Sequence, residues 1–258
     1  MKDVHACIVC NSKELVALKA AVHPFIAERI WKKPPFELDL LICKRCGFIF
    51  FDPRPSNDEL SVLYAGYRGV AYQQARQKHE KEYTPEFNRM LGDCHLNAHR
   101  KTMLSSIIQE NTDTSKIHSV LDYGGDRGQF IPPDFSDAEK YVFEISGLKP
   151  ISGVKSIMKL SESKHRKFDF IMCCHLLEHV PYPSQIIRNI KRFAQKDTIF
   201  YFEVPYEIPV AMPDAIKFGN PKLAAFPIIM RVPQLYNCVV ALRPALCIKM
   251  HEHINFFF

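Results

Sequence analysis

The chain has 258 residues, of which 47% are hydrophobic, 24% charged and 12% aromatic. That balance excludes global disorder, a collagen-like repeat and a disulfide-stapled miniprotein, and the length suits one large domain or a domain with smaller attachments. The net charge of +6 comes from 34 basic against 28 acidic residues without any long Lys/Arg block, so no nucleic-acid footprint is expected, while a small phosphate-bearing substrate suits the mildly basic balance.

Met1 to Cys10 holds no apolar run of signal-peptide length. The most apolar stretch, Leu223 to Met250, is broken by Arg231, Arg243, Pro227, Pro233 and Pro244, short of the ~18 uninterrupted apolar residues of a spanning helix. The expectation is a cytoplasmic chain with no membrane span. Texture divides it into residues 1–55, which carry two cysteine pairs; a polar, helix-prone stretch 56–115; alternating apolar runs and loops over 116–205; and a Pro- and aromatic-rich segment 206–258 ending in Asn255-Phe256-Phe257-Phe258. In the second stretch Ser56-Asn57-Asp58-Glu59 opens a helix ahead of Leu60 and Leu63, Arg76 to Glu82 reads as a solvated charged face, and an amphipathic helix covers His95 to Gln109. In the third, Ser119–Tyr123, Tyr141–Ile145, Phe168–Cys174 and Thr198–Val204 read as buried parallel strands. Ser184 is placed to cap a helix whose Ile186, Ile187, Ile190, Phe193 and Ala194 recur at helical spacing, giving one strand-helix-strand unit.

Nine cysteines is an odd number, and four of them form two Cys-x-x-Cys pairs, Cys7/Cys10 and Cys43/Cys46. A two-residue spacer lets both sulfurs of a pair reach one ion, and two such pairs supply the four tetrahedral thiolates that zinc prefers. Gly47, directly after Cys46, fits the tight turn of such a knuckle. Four buried unligated cysteines, or a redox Cys-x-x-Cys, are the alternatives, and His5 is a further candidate ligand.

Further along, Val120-Leu121-Asp122-Tyr123-Gly124-Gly125-Asp126-Arg127-Gly128 sets a glycine-rich turn immediately after an apolar strand, where backbone passes close to a ligand or simply turns. The dinucleotide pattern G-x-G-x-x-G is absent. About 20 residues on, Glu144 ends the next apolar run, where a carboxylate can accept both hydroxyls of a ribose or sit on the surface. His175 and His179 with Cys174 are spaced as a second metal set, but the strand ending there leaves little helix to present them.

The D-x-G-x-D-x-G turn resembles motif I of class I S-adenosylmethionine-dependent methyltransferases, with Asp126 in place of the middle glycine. The run Phe168 to Val180, ending Leu177-Glu178-His179-Val180, resembles the fourth-strand segment of the same superfamily, whose loop passes beside the methionine part of the cofactor. Adding the cysteine pairs, Phe51-Asp52-Pro53-Arg54-Pro55, Tyr64-Ala65-Gly66-Tyr67 and His251-Glu252-His253-Ile254, nearly the whole chain resembles the zinc-binding-domain methyltransferases that include bacterial deoxysugar C-methyltransferases.

The resemblance implies an α/β, Rossmann-like class I methyltransferase sheet at 116–205, with a zinc-binding module at 1–55, a helical connector or cap at 56–115 and a substrate-side segment at 206–258. It implies zinc on Cys7, Cys10, Cys43 and Cys46, and S-adenosylmethionine held by Asp122, Gly124, Gly125, Gly128, Glu144, Cys174 and His175. Tyr64, Tyr67, Glu252 and His253 would face a nucleotide-sugar-like substrate of glycan or secondary-metabolite biosynthesis, with His253 as the proton acceptor and Glu178 and His179 in supporting roles. A homo-oligomer is compatible with this reading. Three departures stand out: Pro132 and Pro133 cut short the helix expected after Gly128, residues between Ile145 and Val154 are too few for a crossover helix, and Met250 replaces the usual tyrosine before H-E-H. The family also continues for several more elements where this sequence stops, and the sheet is expected to lack its last strands. An O-methyltransferase of the same fold and a catalytically silent binding module are the alternative functions.

Overall fold

The computed structural model describes residues 5–92, 98–145, 148–205, 234, 237–238 and 248–256. They divide into two compact units: unit 1, within Met1–Tyr67, Glu178–Pro183 and Pro205–Phe258, and unit 2, within Arg68–Leu177 and Ser184–Val204. The stretch 56–115 is thus shared between the units, and the C-terminal segment clusters with the cysteine pairs. In chain order the strands are β1 (Leu15–Val22), β2 (Glu37–Cys43), β3 (Ile49–Asp52), β4 (Ser119–Tyr123), β5 (Glu139–Phe143), β6 (Val154–Ile157), β7 (Phe168–Cys174), β8 (Ala194–Glu203), β9 (Ile248–Met250) and β10 (Asn255–Phe256). The helices are α1 (Pro24–Ile26), α2 (Asn57–Tyr64), α3 (Val70–Gln77), α4 (Pro85–Gly92), α5 (Ala98–Asn111) and α6 (Pro183–Lys191).

Unit 1 is built on a mixed sheet of order β10-β3-β2-β1-β9. Alternation makes it: Leu18, Ala20 and Val22 of β1 are buried, and register sets Leu18 opposite Leu40 and Ala20 opposite Leu38, all four on one face. The two C-terminal strands close both edges, β9 parallel to β1 and β10 antiparallel to β3. At the start of α2 the sequence reading holds in full. Ser56 Oγ accepts from the Glu59 amide at 3.2 Å and Glu59 Oε2 accepts from the Ser56 amide at 2.8 Å, a reciprocal cap.

Unit 2 is a five-stranded, all-parallel sheet of order β6-β5-β4-β7-β8. Leu104 and Ile108 of α5 pack on Val120, Phe135, Phe170 and Met172. β4 and β7 span the residues expected of them. Between β4 and β5 the only helical turn is a 3-10 turn over Pro133–Phe135, as the two prolines dictate, and no helix is described between β5 and β6.

Several boundaries differ from expectation. β5 lies two residues earlier, leaving Ile145 exposed, and β8 begins at Ala194, its pairing with β7 resuming after a register shift between Phe168 and Phe170. Ser184 falls inside the first turn of α6 instead of capping it, because Pro183 takes the first helical position, where a missing N–H costs nothing. Phe193 is buried beyond the helix end, and Ala194 opens the strand. The run 76–82 is no solvated face throughout: Arg76 and Glu80 pair at 2.9 Å with little side-chain exposure, and the guanidinium lies 4.0 Å from the Tyr83 ring centroid. α5 is described from Ala98, so residues 95–97 of the expected helix lie outside the described residues, as does most of 206–247, and with it the expectation about the last strands of the sheet.

Candidate functional site

The four cysteines converge in unit 1. Cys7 Sγ lies 3.7 Å from Cys46 Sγ and Cys10 Sγ 3.5 Å from Cys43 Sγ, and all four sulfurs lie within 4.8 Å of one another. Tetrahedral zinc with bonds of about 2.3 Å sets its sulfurs about 3.8 Å apart, so the donor set fits that ion. Each pair is followed by a left-handed residue, Asn11 (φ 58°) and Gly47 (φ 75°), and each turn closes through a backbone bond, Asn11 N–H to Cys7 C=O and Gly47 N–H to Cys43 C=O. Glycine was legible as a knuckle residue, and Asn11 is its counterpart through the other residue type that tolerates this conformation. His5 is exposed and stands outside the cluster.

In unit 2 the chain runs from β4 outward through β5 and β6, then returns to the other side of β4 for β7 and β8. The reversal makes the carboxyl ends of β4 and β7 the switch point, where open parallel sheets bind ligands. Asp122, the glycine turn, Cys174 and His175 all lie there, with Glu144 directly after the neighbouring β5. Gly124 and Gly128 hold φ of 76° and 74°. Gly125 is needed for a different reason, since a Cβ there would overlap the Asp122 carboxyl. Asp126 takes φ 58°, so the residue in place of the middle glycine adopts the same left-handed backbone, and its carboxylate accepts from Gln129 Nε2 at 2.9 Å.

Charge concentrates at these strand ends. Asp122 is 2% exposed, and burial pushes its carboxyl up to about 7 against the pull of Arg100, with Glu144, Asp126 and Glu203 adding to the rise. Arg100 of α5 grips Glu203, at the end of β8, through Nε (2.9 Å) and Nη2 (3.3 Å), and His175 Nε2 lies 2.8 Å from the same carboxylate. Burial would raise Glu203, but the bonds to His175 and Arg100 outweigh it and hold the carboxyl at about 2. Burial pushes the Cys174 thiol far up, which favours its protonated form.

The tyrosines and the H-E-H segment meet in unit 1. Tyr64 Oη lies 2.9 Å from His179 Nδ1, which also lies 3.1 Å from the Glu252 carbonyl oxygen. The His253 ring meets His179 edge-on at 4.7 Å, and Tyr67 meets Tyr64 likewise at 5.4 Å. Main-chain bonds fix this arrangement: Ile254 and Asn255 amides donate to the Glu178 carbonyl at 2.8 and 3.2 Å, and Asn255 Nδ2 donates to Val180 C=O at 2.6 Å. Burial, then the neighbouring His253, lowers the pKa of His179. The Glu252 carboxylate lies 3.8 Å from His251 Nδ1. His179 is the residue that reading undervalued, because its partner Tyr64 is 115 positions away and no spacing rule links them. Cys174, His175 and His179 form no metal cluster among the described residues.

A sequence-family model described as "Methyltransferase domain" matches residues 72–257. No curated protein matches the sequence. Among solved structures, the chain is similar to the plantazolicin methyltransferase BpumL in complex with a pentazolic desmethylPZN analog and SAH (13% identity, 71% of this chain and 75% of that one, TM-score 0.37). It is also similar to an O-methyltransferase family protein from Burkholderia thailandensis (12% identity, 67% and 62%, TM-score 0.34). With the family match covering most of its length and a parallel Rossmann-like sheet at its centre, the chain belongs to the methyltransferase-domain family.

Proposed function

We propose that the chain transfers a methyl group from S-adenosylmethionine to a carbon of a nucleotide-sugar, the reaction of the deoxysugar C-methyltransferases it resembles. The convergence of Tyr64, His179 and His253 carries this reading, because a phenol and two imidazoles in contact are groups that donate and accept protons. Unit 2 suits the methyl donor. Its glycine turn runs the backbone closely past Asp122, Leu176 and Val154 at the switch point, where only glycine fits, and Glu144 follows the adjacent strand end, placed to accept two ribose hydroxyls. When bound, S-adenosylmethionine supplies a methyl group on a positively charged sulfur. Around it, Asp122, Cys174 and His175 border the methionine side, while the main chain of residues 124–128 supports the nucleoside.

In unit 1, His253 accepts the proton from the carbon beside a substrate ketone, Glu252 and Tyr67 face the sugar, and His179 orients Tyr64 through their hydrogen bond. Near-attack alignment of nucleophile and methyl carbon supplies most of the rate. The four cysteines hold a structural zinc. The test is methyl transfer to keto-sugar nucleotides in deuterated water, read by mass spectrometry. Exchange at the accepting carbon together with a carbon-methylated product is expected. A methyl group on oxygen without exchange turns the reading to the O-methyltransferase alternative, and no binding of S-adenosylhomocysteine by calorimetry overturns it.

A further inference from the structure

We propose that Glu178, His179 and His253 form a second metal site, distinct in chemistry from the four-cysteine centre, for a divalent transition ion of the zinc, cobalt or nickel class. One ligand atom of each residue lies within 4.8 Å of the others, and Glu178 Oε1 stands 3.9 Å from His179 Nε2. Ion-bound oxygen and nitrogen atoms in a tetrahedral site are about 3.3–3.5 Å apart, so a contraction of roughly 0.5 Å for the Glu178–His179 pair, and of no more than about 1.5 Å for any pair, seats the ion. Two imidazoles and one carboxylate select the middle of the first transition row over magnesium or calcium, which ask for oxygen alone.

The ring of His179 is already aimed. In the tautomer protonated at Nδ1, that N–H donates to the Glu252 carbonyl, which leaves the Nε2 lone pair on the Glu178 side. Metal-ligating histidines are oriented by this same kind of bond from their other nitrogen. Glu178 is 1% exposed, so its carboxylate is held within the protein beside His179. Glu178 and the segment carrying His253 are joined through the main chain, by the Ile254 and Asn255 amides on the Glu178 carbonyl, so the site is positioned by backbone and not by mobile side chains. The site shares His253 with the proposed proton-transfer set: an ion on the free lone pair of that ring would keep it from accepting a proton, so ion binding and proton transfer would exclude each other, and metal binding itself does not depend on the methyl-transfer reading.

The experiment is a cobalt(II) titration of full-length protein whose four cysteines are already loaded with zinc, read by visible absorption and by metal analysis after desalting. One further equivalent is expected, with cobalt d–d bands and no thiolate charge-transfer band. Glu178→Gln and His253→Asn should each weaken it at least tenfold, and His251→Asn should leave it unchanged. Because Glu178 is buried, far-ultraviolet circular dichroism checks that variant, and the less buried His253→Asn carries the test if Glu178→Gln misfolds. No second equivalent, a thiolate-type spectrum, or unchanged affinity in a folded His253→Asn protein overturns the site. S-adenosylhomocysteine calorimetry alongside separates the outcomes: cobalt binding without nucleoside binding refutes the methyl-transfer reading and leaves the metal site standing.

Discussion

Asp122→Asn should make the protein more stable, and by an amount that grows with pH. The carboxyl ordinarily titrates at 3.8 and in the fold at about 7, chiefly because it is buried. Below pH ~4 both folded and unfolded chains hold the proton, and the side chain contributes no pH dependence. As pH rises, the unfolded chain ionises while the folded one keeps its proton, so stability falls by about 1.36 kcal/mol per pH unit. Once pH passes the folded value of about 7 both forms are ionised and the full cost is reached, about 4 kcal/mol. The asparagine variant escapes that cost. At pH 5.5 its advantage is about 2 kcal/mol and at pH 8 about 4, and the difference between the two cancels any constant packing penalty of the amide. At roughly 2–4 °C per kcal/mol for a chain of this size, the melting gap should widen by about 4–8 °C from pH 5.5 to pH 8. Melting both proteins by circular dichroism at the two pH values measures it, and a gap that stays constant or narrows with pH refutes the assignment of a buried, proton-holding Asp122.

Four further outcomes are expected. Freshly purified protein should carry one zinc per chain, lost in Cys43→Ser; less than half an equivalent by elemental analysis would falsify the cysteine centre. Gly125→Ala should destabilise unit 2 by about 2–3 kcal/mol through displacement of the Asp122 carboxyl, and since no left-handed backbone is involved, most of the loss should disappear in an Asp122→Ala background by double-mutant denaturation. Glu144→Ala should weaken S-adenosylhomocysteine binding at least tenfold by calorimetry, and unchanged affinity counts against the ribose role. His253→Asn should cut turnover by roughly a hundredfold with cofactor affinity intact, whereas turnover within a few-fold of the parent moves the proton acceptor to another group.

The sequence showed some of this and concealed the rest for physical reasons. β4 and β7 were legible to the residue because strands buried on both faces read as unbroken apolar runs, as Val120, Leu121, Phe170, Ile171 and Met172 do. The capping box at Ser56 and the absent helix at Pro132-Pro133 were legible because their chemistry is local. The sheet of unit 1 was not recognised, although β1 carries a clear period of two at Leu18, Ala20 and Val22. Its edges are a three-residue strand and a two-residue strand that pair with residues some 200 positions earlier, too short to show any periodicity of their own. Separation in sequence, here 115 positions, also hid the Tyr64–His179 bond.

Where charges are buried separates structure from function in this molecule. Arg54, Asp122, Glu178 and Glu252 are the charged residues buried among those described, and each costs several kcal/mol to hold away from water unless it is well partnered. Arg54 has a structural account. Its Nη2 donates to Asn255 Oδ1 and its guanidinium packs against the rings of Phe50 and Tyr182, so it pins the C-terminal strand to the N-terminal sheet. The other three are carboxylates. Asp122 lies on the glycine turn at the switch point, while Glu178 and Glu252 each stand beside a histidine, 3.9 Å from His179 and 3.8 Å from His251. A fold shaped for stability alone would fill such positions with apolar side chains. Asp122 beside the glycine turn, and Glu178 and Glu252 beside the histidines, are buried ionisable groups of the kind that functional sites collect, and this makes the two clusters the candidates for chemistry in the proposed methyl transfer.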